Sequence, residues 1–113
     1  MPAAVAVPDH GHMLTDTRAE VLVFGDEALI SVFGELDLFT LGVLKDALEE
    51  VRAVSRVIID LQNVSFLDCS ALRHIELAAR ARAVDGQSVR LDHASGIVHR
   101  LIELLKLDDL RVR

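Results

Sequence analysis

The segment Val57-Ile58-Ile59-Asp60-Leu61 sets the tightest limit on how this chain can fold. It is short, rich in β-branched residues and bounded by polar stretches, which makes it a strand rather than a helix or a membrane span. It has little to offer water on either face, so it belongs inside a sheet, covered on both sides as parallel strands are. Parallel neighbours need crossover connections, and a helical pattern stands on each side of the run. Before it, Leu41, Leu44, Leu48 and Val51 recur at helical spacing. Lys45, Asp46, Glu49, Glu50 and Arg52 supply the polar face, and Thr40 is placed to cap the start. After it, a loop over 62–68 leads to a helix from about Ser70 to Ala83, with Leu72, Ile75, Ala79 and Ala83 as its apolar side. Asp85-Gly86 ends that helix.

The flanks complete the pattern. Val21–Phe24 and Leu29–Phe33 are β-rich runs separated by Gly25-Asp26-Glu27-Ala28, a hairpin signal. Gly34-Glu35-Leu36-Asp37 forms a polar exit from the second run. Val89 and Leu91 alternate with polar residues in a further strand. Ser95 caps a third helix carrying Ile97, Val98, Leu101, Leu104 and Leu105, and 110–112 is long enough for a final short strand. The expected fold is a single α/β domain with a mixed, mostly parallel sheet and helices packed on it, in the order β-β-α-β-α-β-α. Residues 1–17 hold both prolines and the pair His10 and His12 without sustained periodicity. They read as a flexible arm, with room for one short strand over Ala3–Val7, ahead of a domain spanning 18–113.

Composition narrows the function. The 113 residues suit one domain. A formal net charge of −6 and the absence of Trp and Tyr argue against direct nucleic-acid binding. The single cysteine, Cys69, allows no internal disulfide, and no apolar run approaches membrane-spanning length; a cytoplasmic setting without membrane insertion is expected. The six glycines spell no phosphate-cradling loop, and His10, His12, His74, His93 and His99 fall at no recognised metal-ligand spacing. No cofactor or metal is therefore expected. Ser70 and His74, four apart and near Asp68, invite comparison with a Ser-His-Asp hydrolase. There is no strained nucleophile elbow, however, and Asp68 is better placed to cap the helix than to orient His74.

The stretch from Asp68 to Ser70 opens the second helix. Asp68 or Ser70 can act as its N-cap, the ordinary role of such residues. A hydroxyl at that position is also a good phosphoacceptor, because the free N–H groups and the positive dipole end accommodate an added phosphate. Cys69 beside it reads as a half-buried small residue. On the helix, Ser70, Arg73, His74, Leu77 and Ala81 fall on the side opposite Leu72 and Ile75, so Leu77 lacks a core partner.

Two features together resemble a known family: Gly34-Glu35-Leu36-Asp37 followed by a helix, and the strand–loop–helix IIDLQNVSFLDCSALRHI. The usual form of the second is a hydrophobic strand and then D-x-x-x-V-x-F-x-D-S-S-G-L. Asp60, Val64, Phe66, Asp68, Ser70 and Leu72 occupy matching positions, while Cys69 and Ala71 replace the first serine and the glycine. Residues 20–112 thus resemble a STAS domain of the anti-anti-sigma factor type. The resemblance implies a regulatory binding protein rather than an enzyme. It would bind an anti-sigma factor serine kinase, thereby release a sigma factor, and be switched off by phosphorylation of Ser70. ATP and magnesium would belong to the kinase, and a phosphoserine phosphatase would restore binding. Asp37, Asp68, Cys69, Ser70, Arg73, His74 and Leu77 would meet the partner. The added charge, about −1.5 to −2, would land beside Asp68 in a closing interface. The alternative is an adaptor subunit of a transporter or larger signalling assembly that needs no phosphorylation.

Overall fold

The computed structural model describes residues 3–7, as strand backbone, and residues 17–113. They comprise β1 (Ala3–Val7), β2 (Arg18–Phe24), β3 (Glu27–Leu36), α1 (Leu41–Glu50), β4 (Arg56–Leu67), α2 (Cys69–Val84), β5 (Ser88–Asp92), α3 (Gly96–Leu105) and β6 (Arg111–Val112). The strands form one sheet in chain order, β1 to β6. The pairs β1/β2 and β2/β3 are antiparallel; β3/β4, β4/β5 and β5/β6 are parallel. The mixed α/β architecture and the element order are those expected from the sequence. The short strand over Ala3–Val7 forms and pairs with β2, with Val7 opposite Ala19. Most of the arm expected over 1–17, including His10 and His12, lies outside the described residues; Thr17 at its end is fully buried.

One sequence expectation fails here. Among the described residues, the central strand is covered on one face, not two. Successive right-handed crossovers between neighbouring strands all fall on the same side of a sheet, so α1, α2 and α3 share one face. Burial follows that rule: Val21, Ile30, Ile59 and Leu91 lie in register and are buried with α1 and α2 residues in one core. Leu22, Leu29 and Ile58 line the opposite face and are only half-buried. Arginine side chains dress that face instead of a helix layer. Arg56 Nε lies 3.3 Å from Glu27, Arg90 Nε donates to Asp92 Oδ1 at 2.7 Å, and the Arg18 guanidinium sits 4.1 Å from the Phe33 ring centroid. Their aliphatic stems shield the apolar stripe while the heads stay wet.

The expected loop over 62–68 is also corrected. β4 continues to Leu67 alongside β3, which itself runs through the supposed polar exit to Leu36. Two register shifts, between Ser31 and Phe33 and between Gly34 and Glu35, each place an extra residue on β4. Such bulges break the alternation that marks a strand in sequence. Gly34 is needed at the second shift: its φ is +96°, and an added Cβ would lie 3.0 Å from Thr17 Cα.

Two helices bury different residues from those expected. On α2, Ala83 is exposed and Arg82 is buried, because its Nη2 donates to Val51 O at 2.8 Å and Val54 O at 2.6 Å just beyond α1. On α3 only Val98 is buried; Ile97 and Leu104 are 74% and 69% exposed.

Candidate functional site

The end of β3 and the start of α2 are joined by one backbone bond, from Asp68 N–H to Leu36 O at 3.1 Å. With Leu36 opposite Leu67 in the ladder, this brings the turn after β3 beside the first residues of α2. Asp68 is the N-cap: its backbone is extended and its Oδ1 accepts from Ala71 N–H at 2.9 Å. That settles the capping role on Asp68 and leaves the Ser70 hydroxyl free of it. Ser70 is the second helical residue and is exposed. Asp68 Oδ1 does not engage His74, so the hydrolase-like arrangement is not assembled.

Cys69 was expected to be half-buried and is exposed. As the first helical residue it points away from the sheet, while Leu67, Ala71 and Leu72 fill the core positions around it. Ala71, which replaces the family's glycine, is fully buried, so its methyl group faces the core rather than the acceptor hydroxyl. Arg73 and Leu77 are exposed and His74 is half-buried. Burial, followed by the positive charge of Lys45 on α1, holds the His74 imidazole below the ordinary histidine range. It is therefore neutral at pH 7.

Asp37 organises the neighbouring loop. Its Oδ1 accepts from Phe39 N–H at 2.9 Å and Thr40 N–H at 3.0 Å. Thr40, expected to cap α1, makes no side-chain cap bond. Its hydroxyl turns back to donate to Glu35 O at 2.7 Å and accepts from Asp37 N–H at 3.0 Å. The tightened loop presents Leu38 and Phe39 to solvent, 67% and 82% exposed. Sequence reasoning passed over this pair. Its signal was two large apolar residues in a strand–helix connection, outside either periodic pattern. The resulting surface combines an exposed hydroxyl, two acidic residues already committed to local hydrogen bonds, and the apolar side chains Leu38, Phe39 and Leu77. Among the described residues, no group of three or more His, Cys, Asp or Glu side chains is placed to hold a metal ion, and no helix is long and apolar enough to cross a membrane.

Comparison with solved structures supports the same frame. The unphosphorylated anti-sigma factor antagonist SpoIIAA matches with a TM-score of 0.69 at 19% identity, over 84% of this chain and 87% of that one. The phosphorylated form of the Bacillus cell fate determinant SpoIIAA matches at 0.66 and 18%, over 84% and 90%. An anti-sigma factor antagonist from Mycobacterium paratuberculosis matches at 0.66 and 24%, over 95% and 90%. No curated protein matches the sequence. The family model described as "Mlab, STAS domain" matches residues 24–112. With that model covering most of its length, and with the strand–helix junction at Asp68 in place, this chain belongs to the STAS domain family.

Proposed function

We propose that this chain is an anti-sigma factor antagonist that binds an anti-sigma factor serine kinase, frees a sigma factor, and is released when Ser70 is phosphorylated. The observation that carries the reading is the exposed Ser70 hydroxyl at the second position of α2, relieved of capping by Asp68. A hydroxyl there is open to a kinase, and the apolar side chains of Leu38, Phe39 and Leu77 give a partner something to bury. Phosphate on Ser70 adds about −1.5 to −2 charge between Asp68 and the closing partner. Desolvating that charge costs on the order of a few kcal/mol, enough to change occupancy by more than tenfold. The chain supplies the acceptor and the binding face; ATP and magnesium sit on the kinase, and a phosphoserine phosphatase resets the switch.

The test is a pull-down from lysate of the source organism with wild type, Ser70→Ala and Ser70→Asp as baits, with Ser70 checked for phosphate by mass spectrometry after ATP is added. Wild type and Ser70→Ala should hold a small kinase, Ser70→Asp should release it, and wild-type Ser70 should gain phosphate. One partner retained equally by all three baits, with Ser70 bare, would refute the switch and leave a constitutive adaptor.

A further inference from the structure

β4 outruns its neighbour. Its last pairing with β5 is Asp60 with Asp92, after which the chain turns off at His93. His93 adopts the left-handed conformation, φ +58°, and is pinned by Nδ1 at 2.9 Å from Asp60 Oδ1 and by its N–H donating to Arg113 O at 3.1 Å. From Leu61 to Leu67, β4 therefore keeps β3 on one side and, among the described residues, has no strand on the other. Among the described residues, one hydrogen bond to that stretch of main chain comes from outside a strand ladder: Asp60 Oδ1 accepts from Gln62 N–H at 2.9 Å. The start of α3 stands across the gap. Between them lies a groove of about 370 Å³ lined by Val64, Phe66, His93, Ser95, Ile97 and Val98. Phe66 and Ile97 at its mouth are 51% and 74% exposed.

We infer that this groove takes an extended segment of a partner protein, which adds as a strand to the outer edge of β4. An open sheet edge offers N–H and C=O groups at strand spacing, and another extended main chain is the occupant that can satisfy them in register. The usual guards are sparse: LQNVSFL from Leu61 to Leu67 has no charge and no proline, and its defences are the two bulges. The lining selects for an uncharged strand with apolar residues at alternate positions, whose side chains meet Phe66 and Ile97. The edge runs directly into Asp68 and Ser70, so a strand bound there ends at the phosphoacceptor. Assigning the segment to the anti-sigma kinase rests on the function proposed above.

The probe is a soluble peptide of about ten residues, alternating valine and threonine with terminal lysines, added to the isotope-labelled full chain. Amide hydrogen exchange read by NMR should slow at least about tenfold within 63–67 and stay unchanged in β1 and α2. Phe66→Asp and Ile97→Asp, both at exposed positions, should each weaken binding at least about tenfold without lowering the melting temperature. Absence of binding, binding at the β1 edge, or binding without slowed exchange in 63–67 would overturn the inference. This arm needs no kinase, so its outcome is independent of the Ser70 baits. If those baits hold a kinase that Phe66→Asp retains in full, the groove is not where that kinase docks and the inference fails.

Discussion

Arg82→Met removes the buried guanidinium that ties α2 to the end of α1. In the wild type, Nη2 donates to Val51 O at 2.8 Å, which also accepts from Val54 N–H at 2.9 Å, and to Val54 O at 2.6 Å, both just beyond α1. Hydrogen bonds from a charged donor contribute roughly 1.5–3 kcal/mol each. Against this stands the cost of keeping the group out of water. Arg82 Nε is buried without a partner, and burial lowers the guanidinium's proton affinity. Leaving Nε unpaired costs about 1–3 kcal/mol, which the substitution recovers, and the methionine preserves most of the stem's packing. The net expectation is a loss of about 2 kcal/mol. At roughly 2.1 cal/mol/K of unfolding entropy per residue, that lowers the melting temperature of this 113-residue chain by about 8 °C. Urea denaturation gives the same quantity as a shift in midpoint at unchanged slope, with Arg100→Met, at an exposed position, as the control. A loss below about 0.5 kcal/mol, or a gain, would show that guanidinium desolvation cancels the two bonds and would refute the reasoning.

Two further outcomes follow from local geometry. Gly34→Ala forces a side chain into φ +96° and against Thr17 Cα at 3.0 Å, so thermal melts should show a loss of at least about 2 kcal/mol. A loss under about 0.5 kcal/mol would show that β3 relaxes around the bulge. His74, whose folded-state proton affinity is lowered by burial and then by Lys45, binds protons less tightly folded than unfolded. Stability from this group is present above the unfolded histidine value of about 6.5 and is lost as pH falls through the lower folded value. Urea midpoints measured from pH 7.5 down to 5 should fall for wild type and fall less for His74→Gln; parallel curves would remove His74 as the cause.

Sequence alone carried the elements whose signals are local. Gly25, at φ +53°, marks the two-residue turn between β2 and β3. The branched run at 57–61 is a strand in the sheet interior, and α2 starts where the two candidate caps, Asp68 and Ser70, stand, with the structure giving the cap to Asp68. The family was legible only as a resemblance, through Gly34–Asp37 and the match of Asp60, Val64, Phe66, Asp68, Ser70 and Leu72 to its motif. What sequence missed depends on partners distant along the chain. Residues 62–67 look like a loop because bulges destroy alternation, yet they are a strand because β3 pairs with them. Arg82 looks solvent-exposed until carbonyls 28 and 31 residues away claim it. Thr40 looks like a cap until Glu35 O, folded back by the turn, takes its hydroxyl. The one-sided covering of the sheet is likewise invisible in Val57–Leu61 and follows from strand order. Local sequence fixes a residue's conformational preference and its face of an element; which face is covered, and which polar group finds a partner, is decided by the neighbours that tertiary folding brings within hydrogen-bonding and van der Waals range.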